Sequence, residues 1–249
     1  MAALKPPLGR AFLRLFTVQG SWNYERMIGI GMGVAEEPLL RDLPGGPEGQ
    51  VYRAAVGRAA HFFNSHPYLA GLAAGAAARA EHDGQPPAYV ERLRGALTGP
   101  LGSLGDRLVW AGWLPALAAL AVAGVALGLG WTAVLVFLVL YNVGHFVLRW
   151  WALRAGWEYG ARVAAALHHP ALQRASALSG PAMALATGFA FPLAGTYLAA
   201  PLAPWARAGL AGVTAIGLLL LWKRPGNLTG LRLGLLLVAA GLIVGRLWR

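Results

Sequence analysis

Long apolar runs in the second half of the chain constrain its fold more than any other feature. A bilayer core about 30 Å thick is crossed by a helix of about 20 apolar residues. Five segments after residue 108 approach this description, and we predict that each spans the membrane: 109–130, 131–148, 175–199, 208–222 and 231–247. The third is interrupted by Pro181 and Pro192. The sequence therefore predicts an all-α polytopic membrane protein.

Composition and charge favour the same class of protein. The chain is 57% hydrophobic and 12% charged, against about 25% charged in an average soluble domain. A net charge of +11 would suit nucleic acid if the basic residues formed a stripe. They stand singly or in pairs between apolar runs instead, as arginines do at helix ends that face lipid headgroups. We therefore expect membrane lipid and not nucleic acid as a partner. Because cysteine is absent, a disulfide framework and a thiolate metal site are excluded.

The basic residues also predict an orientation. The loops 149–174 and 223–232 carry seven arginines and lysines between them, whereas the turns 128–131 and 199–207 carry one. Basic loops stay on the cytoplasmic side. We expect a multi-pass protein of the cell (inner) membrane whose N-terminus is cytoplasmic.

The first half of the chain has a different organisation. Residues 1–20 predict an amphipathic N-terminal arm, or a partly ordered one, and we expect no cleavable signal peptide there. Residues 21–108 contain short apolar pieces joined by Gly/Pro breaks, which is the pattern of re-entrant hairpins. The segment 97–110 predicts such a break, at a discontinuous helix. We therefore divide the chain into the arm 1–20, a core region 21–108 and the main transmembrane region 109–249.

Two glycine-rich motifs resemble nucleotide loops only loosely. Residues 31–36 (GMGVAE) only approximate G-x-G-x-x-A, because the alanine comes one position early, and they do not follow a hydrophobic strand. Small residues that permit close helix packing are therefore the better interpretation. Residues 99–106 lack the Gly-Lys-Ser/Thr ending of a phosphate loop. His168 and His169 have no nearby carboxylate partner, and they favour the end of a helix before Pro170 over a metal site. We expect no metal and no cofactor.

Three polar clusters remain as candidates for a binding site. Each has a structural alternative: Glu25 and Arg26 would pair with each other or with lipid, Asn64 would cap a helix, and Asp106 would pair with Arg107 or act as a cap. Amides and carboxylates also hydrogen-bond hydroxyl groups, and aromatic faces stack on sugars. We therefore name a candidate substrate-binding set: Asn23, Glu25, Asn64, His66 and Asp106.

Four blocks of sequence, taken together, carry a family resemblance. They are FTVQGSWNYERMIGIGMGVAEEPLL, HFFNSHPYLAGLAAGAAARAEHDG, RGALTGPLGSLGDRLVWAGWLPALAAL and LYNVGHFVLRWWALRAGWEYG, at 16–40, 61–84, 94–120 and 140–160. In this order they resemble the IID component of mannose/fructose/sorbose-type phosphotransferase systems.

The resemblance implies a non-catalytic membrane subunit in a hetero-oligomer. With a IIC membrane subunit it would form the sugar translocation unit, and a soluble IIA/IIB phosphocarrier protein would supply phosphate. Because the family carries its phosphorylated histidines on IIA and IIB, the six histidines of this chain are not expected to carry phosphate. A membrane-embedded hydrolase or transferase that uses Asp106 and a histidine is a different class, and no nucleophile–base spacing supports it.

The chain also departs from the family pattern. LQRASALSG places Ala177 where the family usually has a glutamate, Ser65 replaces a threonine, and His145 stands near a usual arginine. These departures leave open an alternative, a degenerate non-transporting member that acts as a regulatory or scaffold subunit.

Overall fold

The computed structural model describes residues 6–223, and this part of the chain is helical. Two compact units are distinguished, one ending at Pro192 and the other beginning at Leu193. The only β-type pairing in residues 6–223 is a pair of isolated bridges near Met27. The α-helices of this part are α1 Leu8–Leu15, α2 Gly29–Leu40, α3 Gln50–Ala59, α4 Ala70–His82, α5 Pro87–Gly105, α6 Leu114–Ala126, α7 Trp131–Tyr159, α8 Ala164–Leu167, α9 Pro170–Ala199 and α10 Pro204–Lys223.

Helix α4 forms the centre of the first unit. Almost every residue from Ala70 to Ala80 is buried, as expected for a helix that is apolar on all sides. Its alanines and glycines bring the backbone of α7 very close, so that Leu153 lies against Gly71 and Gly75. The small-residue run in the second sequence block is therefore a packing surface.

Helix α1 packs on this core through one face. Ala11 and Leu15 are fully buried, whereas Leu13 is exposed. The Phe12 ring lies edge-on to Trp150 of α7, with 5.3 Å between ring centroids. Within α1, the apolar face of the predicted amphipathic arm therefore packs against the rest of the protein. The boundaries predicted after residues 20 and 108 stay predictions.

Three described helical stretches are long and apolar enough to cross a membrane: Pro87–Ala126, Trp131–Arg162 and Pro170–Tyr197. The first three predicted spans fall on them. The fourth predicted span falls on α10, and the fifth lies outside the described residues. The all-helical, membrane-protein class is thus supported, whereas five as a number of spans stays a prediction.

The predicted break at 97–110 is wrong. Helix α5 runs to Gly105 and continues, without a turn, through a π-helical segment Asp106–Trp113 into α6. The prolines at 181 and 192 likewise lie inside α9. Glycine and proline weaken a helix in water, but in a membrane every backbone group must be bonded within the protein. Continuing the helix, with local π adjustment, satisfies that demand better than an open turn.

A buried ion pair ties α2 to α5. The side chains of Glu36 and Arg94 are almost fully buried and hydrogen-bonded to each other. Arg94 also donates to the Ala59 carbonyl at 2.7 Å, and its guanidinium lies 5.2 Å from the centre of the Phe63 ring. Burial raises the pKa of the Glu36 carboxyl to about 7, against the opposing effect of the Arg94 charge.

The pKa of the next residue, Glu37, is shifted in the opposite direction. It accepts hydrogen bonds from Arg14, Arg41 and Tyr52 at distances of 2.6 to 2.7 Å. Burial by itself would raise the pKa of Glu37, but the bonds from Arg41, Tyr52 and Arg14 outweigh it and lower the pKa to about 2. The carboxylate therefore joins α1, α2 and α3.

Candidate functional site

The first polar cluster forms a tight loop before α2. The Asn23 side-chain oxygen accepts the backbone N–H groups of Glu25 at 3.1 Å and Arg26 at 2.9 Å. Its amide donates to the Ser21 carbonyl at 3.2 Å. The loop closes with Met27 at a φ of 52°, a conformation that non-glycine residues rarely adopt. Asn23 is thus occupied in shaping the loop, which leaves the Glu25 side chain exposed.

The glycines after this loop allow a close approach, as predicted. A Cβ on Gly29 would collide with the His61 carbonyl, and one on Gly31 would collide with the backbone of Val18. Residues 31–36 lie inside α2. The dinucleotide motif is therefore a helix-packing surface.

The loop pairs directly with the second sequence block. Ile28 N–H donates to the Phe63 carbonyl at 3.0 Å, and Phe63 N–H donates to the Arg26 carbonyl at 3.2 Å. Phe63 is fully buried, whereas the next residue, Asn64, is exposed. This pairing fixes Asn64 beside the Asn23–Met27 loop, although the two are some forty positions apart in sequence.

His66 joins the second block to the third. It is 1% exposed and packs so closely on Gly105 that a Cβ there would overlap its ring. The Trp110 ring lies 4.7 Å from the His66 ring, centroid to centroid. Asp106, the residue after Gly105, is exposed, at the start of the π-helical segment. Such segments frequently mark functional sites.

The protonation state of His66 follows from its contacts. The Tyr68 backbone N–H donates to Nδ1 at 3.2 Å, so Nδ1 is the acceptor and the neutral ring carries its proton on Nε2. Burial lowers the pKa of His66 to about 4, and the positive charge of Arg149 adds to the effect. Within residues 6–223, Nε2 has no hydrogen-bond partner. His66 therefore presents a buried N–H donor that this part of the chain leaves unused.

The alternatives within the protein for Glu25, Asn64 and Asp106 are not realised in the described part of the chain. No ion pair joins Glu25 to Arg26, or Asp106 to Arg107, among the described residues. Asn64 does not cap α4 through its side chain. The three exposed acceptors Glu25, Asn64 and Asp106 thus retain free hydrogen-bonding capacity.

The fourth block supplies a polar cluster on α7 that sequence reasoning missed. The Tyr68 and Tyr141 hydroxyls lie 2.6 Å apart, and the Tyr68 ring stacks on His145 at 4.1 Å. Arg149 donates to His145 Nε2 at 3.1 Å and also to the Leu15 carbonyl. The signal available in the sequence was an arginine within an apolar helix, which is a functional candidate by default.

The arrangement is suited to binding. It combines exposed amide and carboxylate oxygens, one buried N–H donor and the exposed rings of Trp22, Tyr24 and Trp110. No group of three His, Asp or Glu side chains that could hold a metal occurs in the described part of the chain. Such a surface has the features that bind a hydroxyl-rich molecule by hydrogen bonds and ring stacking.

An all-helical fold with three helices long and apolar enough to cross a membrane, within the described residues, defines the class as a helical membrane protein. Comparison with known proteins gives the family. The model of the PTS system mannose/fructose/sorbose family IID component matches residues 5–185, and the chain belongs to that family.

Individual proteins agree with this assignment. The chain is 31% identical over 155 residues to the mannose-specific EIID component of the Escherichia coli K12 PTS, covering 60% of this chain and 54% of that protein. It is 32% identical over 147 residues to the sorbose-specific EIID component of Lacticaseibacillus casei, covering 57% and 51%. The chain thus spans about half the length of these curated relatives.

A solved structure has the same fold over most of the chain. It is the cryo-EM structure of the mannose transporter ManYZ in complex with microcin E492, matched with a TM-score of 0.59 and 25% identity. The match covers 74% of this chain and 69% of the other.

Proposed function

We propose that this chain is the IID membrane subunit of a mannose-type phosphotransferase-system sugar transporter. It forms the sugar translocation unit with a IIC subunit, and a soluble IIA/IIB partner supplies phosphate. One observation carries the proposal: the blocks that define the family converge in space, through the Arg26–Phe63 pairing and the contact of His66 with Gly105 and Trp110.

The site residues have distinct roles in this proposal. Asn23 holds the loop that presents Glu25, and it acts through that loop. Glu25, Asn64 and Asp106 accept hydrogen bonds from sugar hydroxyls, whereas His66 donates through Nε2 to a hydroxyl oxygen. Each side chain thus acts as the hydrogen-bond donor or acceptor that its contacts within the protein leave available.

The proposal includes a placement in the membrane. We infer five spanning segments in the cell (inner) membrane with a cytoplasmic N-terminus, and a region before Pro87 that enters the membrane from the cytoplasmic side as re-entrant helices. The short buried helix α4 supports this placement, since its 13 residues are fewer than the about 20 that a span needs. The boundaries of arm, core region and transmembrane region after residues 20 and 108 belong to the same proposal.

A second candidate is a scaffold subunit that does not transport. The observation in its favour is Ala177, which lies exposed on α9 at the position of the usual family glutamate. A methyl group there provides neither charge nor hydrogen bond.

Co-expression with a cognate IIC subunit tests both candidates. The purified complex is reconstituted in vesicles with IIA/IIB and a phosphate donor, and uptake and phosphorylation of labelled mannose, fructose and sorbose are measured. Uptake that falls when His66→Ala is introduced supports the transport subunit. A stable complex without uptake supports the scaffold, and failure to form any complex with IIC contradicts both.

A further inference from the structure

A second cavity lies away from the polar site, between α6, α7 and α9. Its volume is about 660 Å³, within the range of about 300–1,000 Å³ that is usual for ligand pockets. The walls are almost entirely apolar, with Leu117 from α6, Val147 and Leu148 from α7, and Leu172 and Leu178 from α9. A sugar would lose its hydrogen bonds to water there without replacement, so the cavity suits a hydrocarbon chain.

The apolar cavity adjoins another cavity whose lining includes polar side chains. A neighbouring cavity of about 380 Å³ shares Val147, Trp151 and His169 with the first, and adds Trp150, Arg154, Glu158 and Tyr159. Arg154 donates through Nε to Glu158 at 2.7 Å, which leaves its other guanidinium N–H groups available. The two cavities adjoin at these three shared residues, one with an apolar lining and the other with polar groups as well, and together they are called the groove.

The side chains of the groove match the groups of a phospholipid. The larger cavity has apolar walls. The adjoining cavity has Trp150, Trp151 and Tyr159, the residue types that line membrane interfaces, together with the cation of Arg154 and with His169. Basic pockets between membrane helices bind anionic headgroups. The segment 149–174, which runs from α7 into α9, carries four arginines against one acid, Glu158, which pairs with Arg154.

We propose that this groove binds one anionic phospholipid, with an acyl chain between α6, α7 and α9 and the phosphate at Arg154 and His169. The lipid fills the space between the membrane helices on the side of α7 opposite the buried α4 contact. It is a site separate from the sugar site, and its existence does not depend on transport activity.

Lipid retention by the full-length chain tests the proposal. The protein is purified in detergent and analysed by native mass spectrometry after incubation with phosphatidylglycerol or with phosphatidylcholine of identical acyl chains. We expect one phosphatidylglycerol per chain, retained at least tenfold more than phosphatidylcholine. Arg154→Gln should remove the preference for phosphatidylglycerol while acyl-dependent binding persists.

A matched pair of tryptophan variants distinguishes lipid binding in the groove from nonspecific lipid binding elsewhere on the protein. Ala175 lines the groove, and Ala177 is exposed on the same helix outside it. Ala175→Trp should abolish retention and Ala177→Trp should not. Equal retention by the two variants overturns the proposal. Labelling of Ala175→Cys by a thiol reagent in fully delipidated protein gives a second test. If IIC, or the chain's own residues after 223, protect this cysteine, the occupant of the groove is a protein segment and the proposal is overturned.

Discussion

The contact between α4 and α7 yields the sharpest test of the fold. A Cβ built on Gly75 would lie 2.5 Å from both the Leu153 carbonyl oxygen and the Trp157 amide nitrogen. Both are backbone atoms of α7, so no side-chain rotation can relieve the clash. Ordinary contact begins at 3.4 Å, so Gly75→Ala must separate the helices by about 0.9 Å, the difference between those two distances.

The energetic cost follows from known packing changes. Inserting a methyl group into a well-packed core costs about 1–3 kcal/mol. Gly95→Ala is the matched control, because this glycine is exposed inside α5 and a Cβ there meets nothing within 4 Å. Alanine is a better helix former than glycine by about 1 kcal/mol, so the control should be slightly more stable than the wild type.

Thermal unfolding in detergent, followed by circular dichroism at the helical band, measures the effect. A change of 1 kcal/mol shifts the Tm of a chain this size by about 2–4 °C. Because both variants share the gain in helix propensity, Gly75→Ala should unfold about 2–12 °C below Gly95→Ala, and Gly95→Ala at or above the wild type. Equal Tm values for the two variants would refute the α4–α7 packing described above.

Three further expectations concern charge and the polar site. Arg94→Ala removes the partner of the buried Glu36 carboxyl and the donor to the Ala59 carbonyl. It should cost about 3–5 kcal/mol in unfolding free energy. The Glu36→Leu, Arg94→Leu double variant should recover most of this cost, and a harmless single variant would contradict the buried pair. Because the folded-state pKa of Glu37 lies near 2 and its unfolded value is 4.5, its stabilisation is present above pH 4.5 and lost as pH falls towards 2. Acid titration of Glu37→Gln should lack that loss. His66→Ala should reduce sugar uptake more than Asn64→Ala, because only His66 contributes a buried donor, and equal uptake by the two would argue against the assigned role.

Much of the fold could be read from the sequence. The apolar runs identify membrane helices because a bilayer imposes length and hydropathy directly on local sequence. The glycines of residues 31–36 were interpreted correctly as packing residues, since no strand precedes them. The interpretation failed at 97–110, where glycine and proline suggested a turn. Local propensity was overridden there by the need to keep backbone groups bonded.

The candidate substrate-binding set stays a prediction, and the structure shows only where its members lie. The polar residues lie at the junctions of the sequence blocks, but Asn23 shapes its loop instead of exposing its amide. His66 is a buried donor, and this follows only from Tyr68, Gly105 and Trp110 around it. The burial and the tautomer of His66 depend on the residues around it, and one of these residues, Gly105, is distant in sequence.

The sequence by itself determined the class of protein, the helical stretches and the family. These depend on composition, periodicity and motifs, which are local. Only the tertiary structure decided which groups meet: Glu36 with Arg94 across 58 positions, Tyr68 with Tyr141 across 73, and Arg149 with the Leu15 carbonyl across 134. Such pairings depend on how closely whole helices pack, and that distance is set by small residues on both helices together.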